Sequence, residues 1–295
     1  MASSRRSRLP ILAALVAAVL ATQLLPAIPD AVAATPTALL PDLRMAKPRD
    51  VRLVRVRSGA LKGHRLLRFT TILVNEGRGP IDVVGRRACR STSRCPTMTV
   101  RQRIRRTDGS WTSVATTARM RFEVGDHHRH WHVVDFEGYR LWRLGVTNPE
   151  PRVARKFGFC FFDIARVRPF GPPRRVYAES RCGTPSSLRV HVGLSAGWQD
   201  TYPWDFEGQY IDVTGVPRGE YLLCVTADPK ERFRQSNTNN DEAWVRLRIG
   251  ATGIVVRESR KGSCAAERRR WAPDPAPTPR PTPTPAPTTS PEPQP

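Results

Sequence analysis

The chain has 295 residues, with 48 Lys+Arg against 26 Asp+Glu and a formal net charge of +22. A hydrophobic content of 39% excludes a disordered polyelectrolyte over most of its length. The same balance excludes an acidic cytosolic enzyme and a multi-span membrane protein. Only five basic residues are lysines (Lys47, Lys62, Lys156, Lys230 and Lys261), leaving 43 arginines.

The first 33 residues read as a secretory signal. Arg5, Arg6 and Arg8 form a positive start, residues 9–25 an apolar run, and Ala31-Val32-Ala33 a small-x-small cleavage site. Pro26 and Pro29 before that site favour cleavage over an uncleaved membrane anchor. Removing this segment takes away three arginines and Asp30, which leaves +20. Export makes disulfides the natural reading of six cysteines, with fifteen pairings open. Cys89 and Cys95 are close enough to clip a loop. Cys160–Cys182 and Cys224–Cys264 would complete a local scheme. No CxxC pair occurs, which argues against a structural zinc knuckle.

From about Leu40 to Cys264 the pattern predicts β-structure. Residues 66–74 form a β-rich run stopped by Asn75-Glu76-Gly77. Ile81–Val84 follows Gly79-Pro80, and Met98–Ile104 alternates around Arg101 and Arg103. Tyr221–Val225 follows a turn at Pro217-Arg218-Gly219, and Asp212 and Tyr221 are expected to share a hairpin. Asn239-Asn240 fits the loop before a final strand, Trp244–Ile249, which alternates apolar and charged residues. Short strands with Gly/Pro turns predict an all-β, sandwich-like domain with long loops. From Pro273 onward proline recurs every second or third residue among Thr and Ala, which predicts an extended, disordered tail. The organisation expected is a signal over 1–33, a globular domain over 40–266 and the tail over 272–295.

Arginines recur along nearly every strand at solvent-facing positions. This predicts a solvated arginine-rich surface rather than a nucleic-acid interface, and no specific nucleic acid is expected. Attraction to anionic cell-envelope polymers stays open.

Four of the six histidines fall within 127–132, in Asp126-His127-His128-Arg129-His130-Trp131-His132. His128, His130 and His132 have period two, so a strand places three imidazoles on one face with Arg129 and Trp131 on the other. Three imidazoles suit zinc or copper. Alternate residues on a strand are roughly 6.6 Å apart, so the outer imidazoles must lean inward or the strand must bend. Spacing alone does not choose the metal, and a non-catalytic, secreted metal-binding β-sandwich of the cell envelope is the alternative to an enzyme.

With the surrounding residues included, the sequence resembles the lysyl oxidase family. The His-x-His-x-His motif and its acidic-aromatic continuation read His128-Arg-His130-Trp-His132-Val-Val-Asp135-Phe136. A lysine four residues before a cysteine reads Lys156-Phe-Gly-Phe-Cys160. The Asp-Thr-Tyr block reads Asp200-Thr201-Tyr202, followed by Gln209-Tyr-Ile-Asp212-Val-Thr-Gly-Val-Pro-Arg-Gly-Glu-Tyr221 and Ser236-Asn-Thr-Asn-Asn240.

The resemblance implies copper held by His128, His130 and His132, and a lysine tyrosylquinone made from Tyr202 and Lys156. It implies oxidative deamination of a primary amine or protein lysine by molecular oxygen, giving an aldehyde, ammonia and hydrogen peroxide. Lys156 also stands out independently, as a rare lysine opening an apolar run where a free ammonium is costly to bury. Two departures matter. The family's histidine before the tyrosine that follows the copper motif is here Gly138, next to Tyr139, so no base is carried over from it. Asp135 is the candidate for general base or for a partner supporting the histidines. The cysteine before the tyrosine block in animal members is here Trp198.

Overall fold

The computed structural model describes residues 35–125, 128–154 and 158–273, with only the backbone of Gly125 and His128. The expected signal, Lys156 and nearly all of the expected tail lie outside the described residues. The described residues from Pro36 onward belong to one compact unit.

The first seven strands are β1 (Ala38–Leu39), β2 (Leu43–Met45), β3 (Arg49–Arg55), β4 (Arg65–Asn75), β5 (Ile81–Arg86), β6 (Thr97–Arg106) and β7 (Trp111–Gly125). Then come β8 (His128–Val134), β9 (Glu137–Arg143), β10 (Arg152–Val153), β11 (Gly158–Phe159) and β12 (Ala165–Arg166). The last six are β13 (Arg189–Leu194), β14 (Trp198–Tyr202), β15 (Tyr210–Asp212), β16 (Gly219–Ala227), β17 (Glu242–Ile249) and β18 (Ile254–Lys261). Glu179–Cys182 makes one 3₁₀ turn, and α1 (Cys264–Arg270) closes the described chain. The all-β expectation holds.

The strands divide among three antiparallel sheets. A seven-stranded sheet runs β11-β8-β7-β6-β5-β13, with β1 added beside β6. A five-stranded sheet runs β10-β9-β16-β17-β18. A six-stranded sheet is built on β4, which pairs β14, β15, β2 and β3. The pairing of β4 explains its composition. Leu66, Leu67 and the whole of 69–75 are buried, so both of its faces are apolar or internally bonded. By contrast β6 alternates strictly over 97–102, with Met98, Val100 and Gln102 inward and Thr99 and Arg101 outward.

The expected hairpin of Asp212 and Tyr221 is not formed. Asp212 pairs with Leu66 of β4, whereas Tyr221 lies in β16 between Arg143 and Leu247. Gly215 adopts φ 72°, and the chain there leaves one sheet for another. The loop holding Asn239-Asn240 does precede β17, but β18 and α1 follow it.

All three disulfides of the local scheme are formed: Cys89–Cys95, Cys160–Cys182 and Cys224–Cys264. The last ties α1 to β16. Ser263 caps that helix, its Oγ accepting from the Ala266 N–H at 3.2 Å. Among the described residues no helix is long and apolar enough to cross a membrane.

Candidate active site

β8 lies between β7 and β11, and its two faces differ as the period of two requires. Trp131 and Val133 are fully buried in the main core. Trp131 is further anchored by its indole N–H, which donates to the Thr184 carbonyl at 2.9 Å. Arg129 is exposed. His130 and His132 face the other way, in register with Glu123 and Arg121 of β7. Their ring centroids stand 4.7 Å apart, closer than the strand repeat, so these imidazoles lean toward one another. His132 is 5% exposed and His130 half-buried. The side chain of His128 lies outside the described residues. Among the described residues no group of three or more His, Cys, Asp or Glu side chains could hold a metal.

Tyr202 ends β14, opposite Thr71 of β4, and is 5% exposed. Its hydroxyl donates to the Cys160 carbonyl at 2.9 Å, and its ring meets the edge of Phe159 at 4.8 Å. The segment Gly158-Phe159-Cys160 therefore touches the tyrosine at one end. At the other end it touches the histidine strand. Gly158 and Phe159 pair with Val134 and Val133, and a Cβ built on Gly158 would lie 2.8 Å from Cβ of His132. Only glycine lets β11 approach His132 this closely. Cys160 is fixed in turn by its disulfide to Cys182. Three consecutive residues thus set His132 and Tyr202 on opposite ends of one short piece of chain, and Lys156 is joined to that piece through a single residue.

Beside Tyr202 lies a buried polar cluster for which no role was expected from the sequence. Glu137, Tyr139, Thr71, Gln209 and Asp200 are each 3% exposed or less. The Tyr139 hydroxyl donates to Glu137 Oε2 at 2.6 Å and lies 2.8 Å from Thr71 Oγ1, and Gln209 Nε2 donates to Thr71 Oγ1 at 3.2 Å. Burial pushes the Tyr202 phenol well up, and the negative charges of Asp200 and Glu137 add to this. Burial and the Glu137 charge do the same to Tyr139. Both tyrosines are therefore held as neutral phenols. A signal for this cluster existed. Glu137 is in phase with Tyr139 and Leu141 along β9, and Asp200 with Trp198 and Tyr202 along β14. An acid at an inward position of an alternating strand marks a buried charge.

Asp135 sits elsewhere, in the turn between β8 and β9, with φ 57°. Its Oδ2 accepts from Lys230 Nζ at 2.7 Å and lies 3.3 Å from an Arg232 guanidinium nitrogen, which ties the turn to the 228–233 loop. Asp228 organises that loop by accepting from the N–H groups of Arg232 and Phe233 at 3.0 and 2.9 Å.

The described chain is thus an all-β domain that carries a leaning imidazole pair and a deeply buried tyrosine–carboxylate cluster, bridged by one glycine-led strand. Comparison with known proteins places it more narrowly. The family profile described as Lysyl oxidase matches residues 98–259, more than half of the chain, and the chain belongs to that family. It is 33% identical over 130 residues to lysyl oxidase homolog 1 of Homo sapiens, which covers 44% of this chain and 20% of that relative. It is 33% identical over 139 residues to protein-lysine 6-oxidase of Homo sapiens, covering 46% of this chain and 29% of that one. Against lysyl oxidase homolog 4 of Bos taurus the figures are 31% over 136 residues, 46% and 16%. The matches span less than a third of each of these relatives.

Proposed function

We propose that this chain is a secreted, copper-dependent amine oxidase of the lysyl oxidase type, acting on primary amines or protein lysines with molecular oxygen. One observation carries the proposal. Gly158-Phe159-Cys160, which Phe157 alone separates from Lys156 in sequence, packs against His132 and holds the Tyr202 phenol. Family membership and the three disulfides accord with it.

The histidine pair fits a shared metal. Bonds of about 2 Å put a ring centroid about 3.2 Å from the metal, so two ligands at roughly 90–110° hold their centroids about 4.5–5.2 Å apart. The separation of His130 and His132 is 4.7 Å. In this reading His128, His130 and His132 hold copper, and Lys156 couples to Tyr202. When present, copper supplies one-electron chemistry with oxygen, and the lysine tyrosylquinone supplies the two-electron acceptor for the amine.

The remaining work belongs to the chain. Burial excludes water from Tyr202, and the Cys160 carbonyl holds its hydroxyl in one orientation. Glu137, bonded to Tyr139, is the carboxylate we assign to hold or move a proton beside Tyr202. Asp135, ion-paired to Lys230 and Arg232, is assigned the supporting part, fixing the turn that leaves the histidine strand. Net charge disfavours strongly cationic protein substrates at long range.

The test is a redox-cycling quinone stain on the purified, copper-loaded protein. The expected result is a positive stain, lost in Lys156→Ala and in Tyr202→Phe. A wild type that neither stains nor oxidises any amine would leave a non-catalytic metal-binding domain and overturn the proposal.

A further inference from the structure

A cleft of about 350 Å³ opens on the outer face of the seven-stranded sheet. Four of its lining residues are arginines (Arg86, Arg101, Arg103 and Arg189), Thr99 and Ser113 bring hydroxyls, and none is acidic. Sheet register explains how these charges collect. Arg189 of β13 stands directly opposite Arg86 of β5, and Arg86 stands opposite Thr99 of β6, which makes Arg101 its diagonal neighbour. Like charges directly opposite one another on a sheet are destabilising.

The four are not equally compensated. Arg103 lies 3.7 Å from the buried Asp82 carboxylate and 4.4 Å from the centre of the Trp111 ring. The Arg101 guanidinium is aimed by two bonds to Ser113, at 2.9 Å to Oγ and 2.7 Å to its carbonyl. Ser113 Oγ accepts there, so its own hydrogen is left to donate. For Arg86 and Arg189 no ion pair with a carboxylate is found among the described residues. The facing pair is thus a positive charge concentration that an anion from outside would relieve.

We propose that this cleft binds an extended, phosphate-bearing polyanion without bases, such as a phosphodiester polymer. Three features select that chemistry. The guanidinium groups come from three strands, β5, β6 and β13, and line one cleft. A tetrahedral phosphate offers oxygens to several of them at once, whereas one planar fork satisfies a flat carboxylate. Arg101 and Arg103 lie two residues apart on β6, about 6.8 Å, and neighbouring strands add rows about 4.8 Å away. Such an array suits a chain of repeated charges better than one small ion. No aromatic ring lines the cleft for base stacking, and the nearby Trp111 ring is occupied by Arg103.

The cleft is distinct from the candidate active site. Register puts Arg121 beside His132 on the same outer face, and Ser113 carries the cleft onto β7, but Arg86 and Arg189 stand on β5 and β13, three and four strand steps from β8, about 14 and 19 Å away. The inference therefore stands independently of the oxidase reading.

The experiment uses the full chain and fluorescently labelled inorganic polyphosphate of defined length, with anisotropy read from 50 to 300 mM salt. We expect binding that weakens steeply with salt, as counterion release requires. Arg86→Ala/Arg189→Ala should weaken it at least tenfold and flatten the salt dependence, without lowering the melting temperature. The charge-matched control Arg152→Ala/Arg248→Ala, on exposed positions of the five-stranded sheet, should change affinity less than twofold. Polyglutamate of equal charge should bind several-fold more weakly, and oligothymidylate no more tightly. Arg86→Lys/Arg189→Lys keeps the charge but removes the forks, and should lose affinity by an intermediate factor. That variant carries the test where the alanine pair fails to fold. Equal losses in the two alanine pairs would mean binding by net charge alone. Equal affinity for polyglutamate, tighter cleft-dependent binding of oligothymidylate, or wild-type affinity in the lysine pair would each overturn the proposal.

Discussion

Gly158→Ala probes the contact on which the candidate site turns. The added Cβ would lie 2.8 Å from Cβ of His132, 3.4 Å from the Val133 carbonyl oxygen and 3.5 Å from Cγ of His132. Carbon atoms prefer about 3.5–4.0 Å, so relief needs a displacement of about 1 Å. No flexible chain end can absorb it, because His132 Cβ is anchored on β8, which is paired on both sides. Overpacking of this kind costs about 1–3 kcal/mol. For a domain of this size about 2 kcal/mol corresponds to a fall of about 4–8 °C in Tm. The same shift is about five times the ±0.2 Å tolerance of metal–ligand distances, so copper affinity should fall at least tenfold. The assay is thermal unfolding of the copper-free protein, followed by copper titration. Gly253→Ala is the control, since its added Cβ meets nothing within 4 Å. A Gly158→Ala protein that melts within 1 °C of wild type and binds copper normally would refute the close approach of β11 to His132.

Further outcomes follow from the same structure. Tyr139, Tyr177 and Tyr202 all have phenols pushed up, in each case mainly by burial. The unfolded chain releases these protons near pH 10, while the folded one retains them. Stability should therefore be complete below about pH 10 and fall above it by up to about 1.4 kcal/mol per pH unit for each tyrosine. Denaturant melts at pH 9 to 11 measure this, and a flat profile would contradict it. Removing single disulfides should destabilise in the order Cys224–Cys264, Cys160–Cys182, Cys89–Cys95. The closed loops of 40, 22 and 6 residues correspond to about 4, 3.4 and 2.2 kcal/mol of chain entropy. Thermal melts of the three cysteine-pair variants check the ranking. Asp135→Asn should cost about 1 kcal/mol, as expected for a partly exposed ion pair, and leave the pH dependence of amine oxidation unchanged. Loss of the acidic limb of that profile would make Asp135 the base instead.

Much of the fold was legible because alternation is a local property. Residues 97–102 and 245–249 alternate in sequence and do so in space, whereas Trp244, expected to open the second alternation, is buried like Val245 beside it. The histidine spacing likewise put His130 and His132 on the face opposite Trp131. The short-range disulfides followed from proximity along the chain. Which strands share a sheet was less accessible. Asp212 and Tyr221 are nine residues apart yet lie in different sheets, because pairing depends on partners more than a hundred residues away from Asp212.

The sequence by itself determined the class of strands, the imidazole spacing and the rarity of Lys156, since each rests on neighbours within a few positions. Tertiary structure alone decided that Gly158-Phe159-Cys160 joins His132 to Tyr202. It alone decided that Glu137 and Asp200 share the burial of Tyr202, and that Arg86 faces Arg189. Those juxtapositions arise from strand register across long loops, where packing of both sheet faces selects one alignment and no local pattern records it.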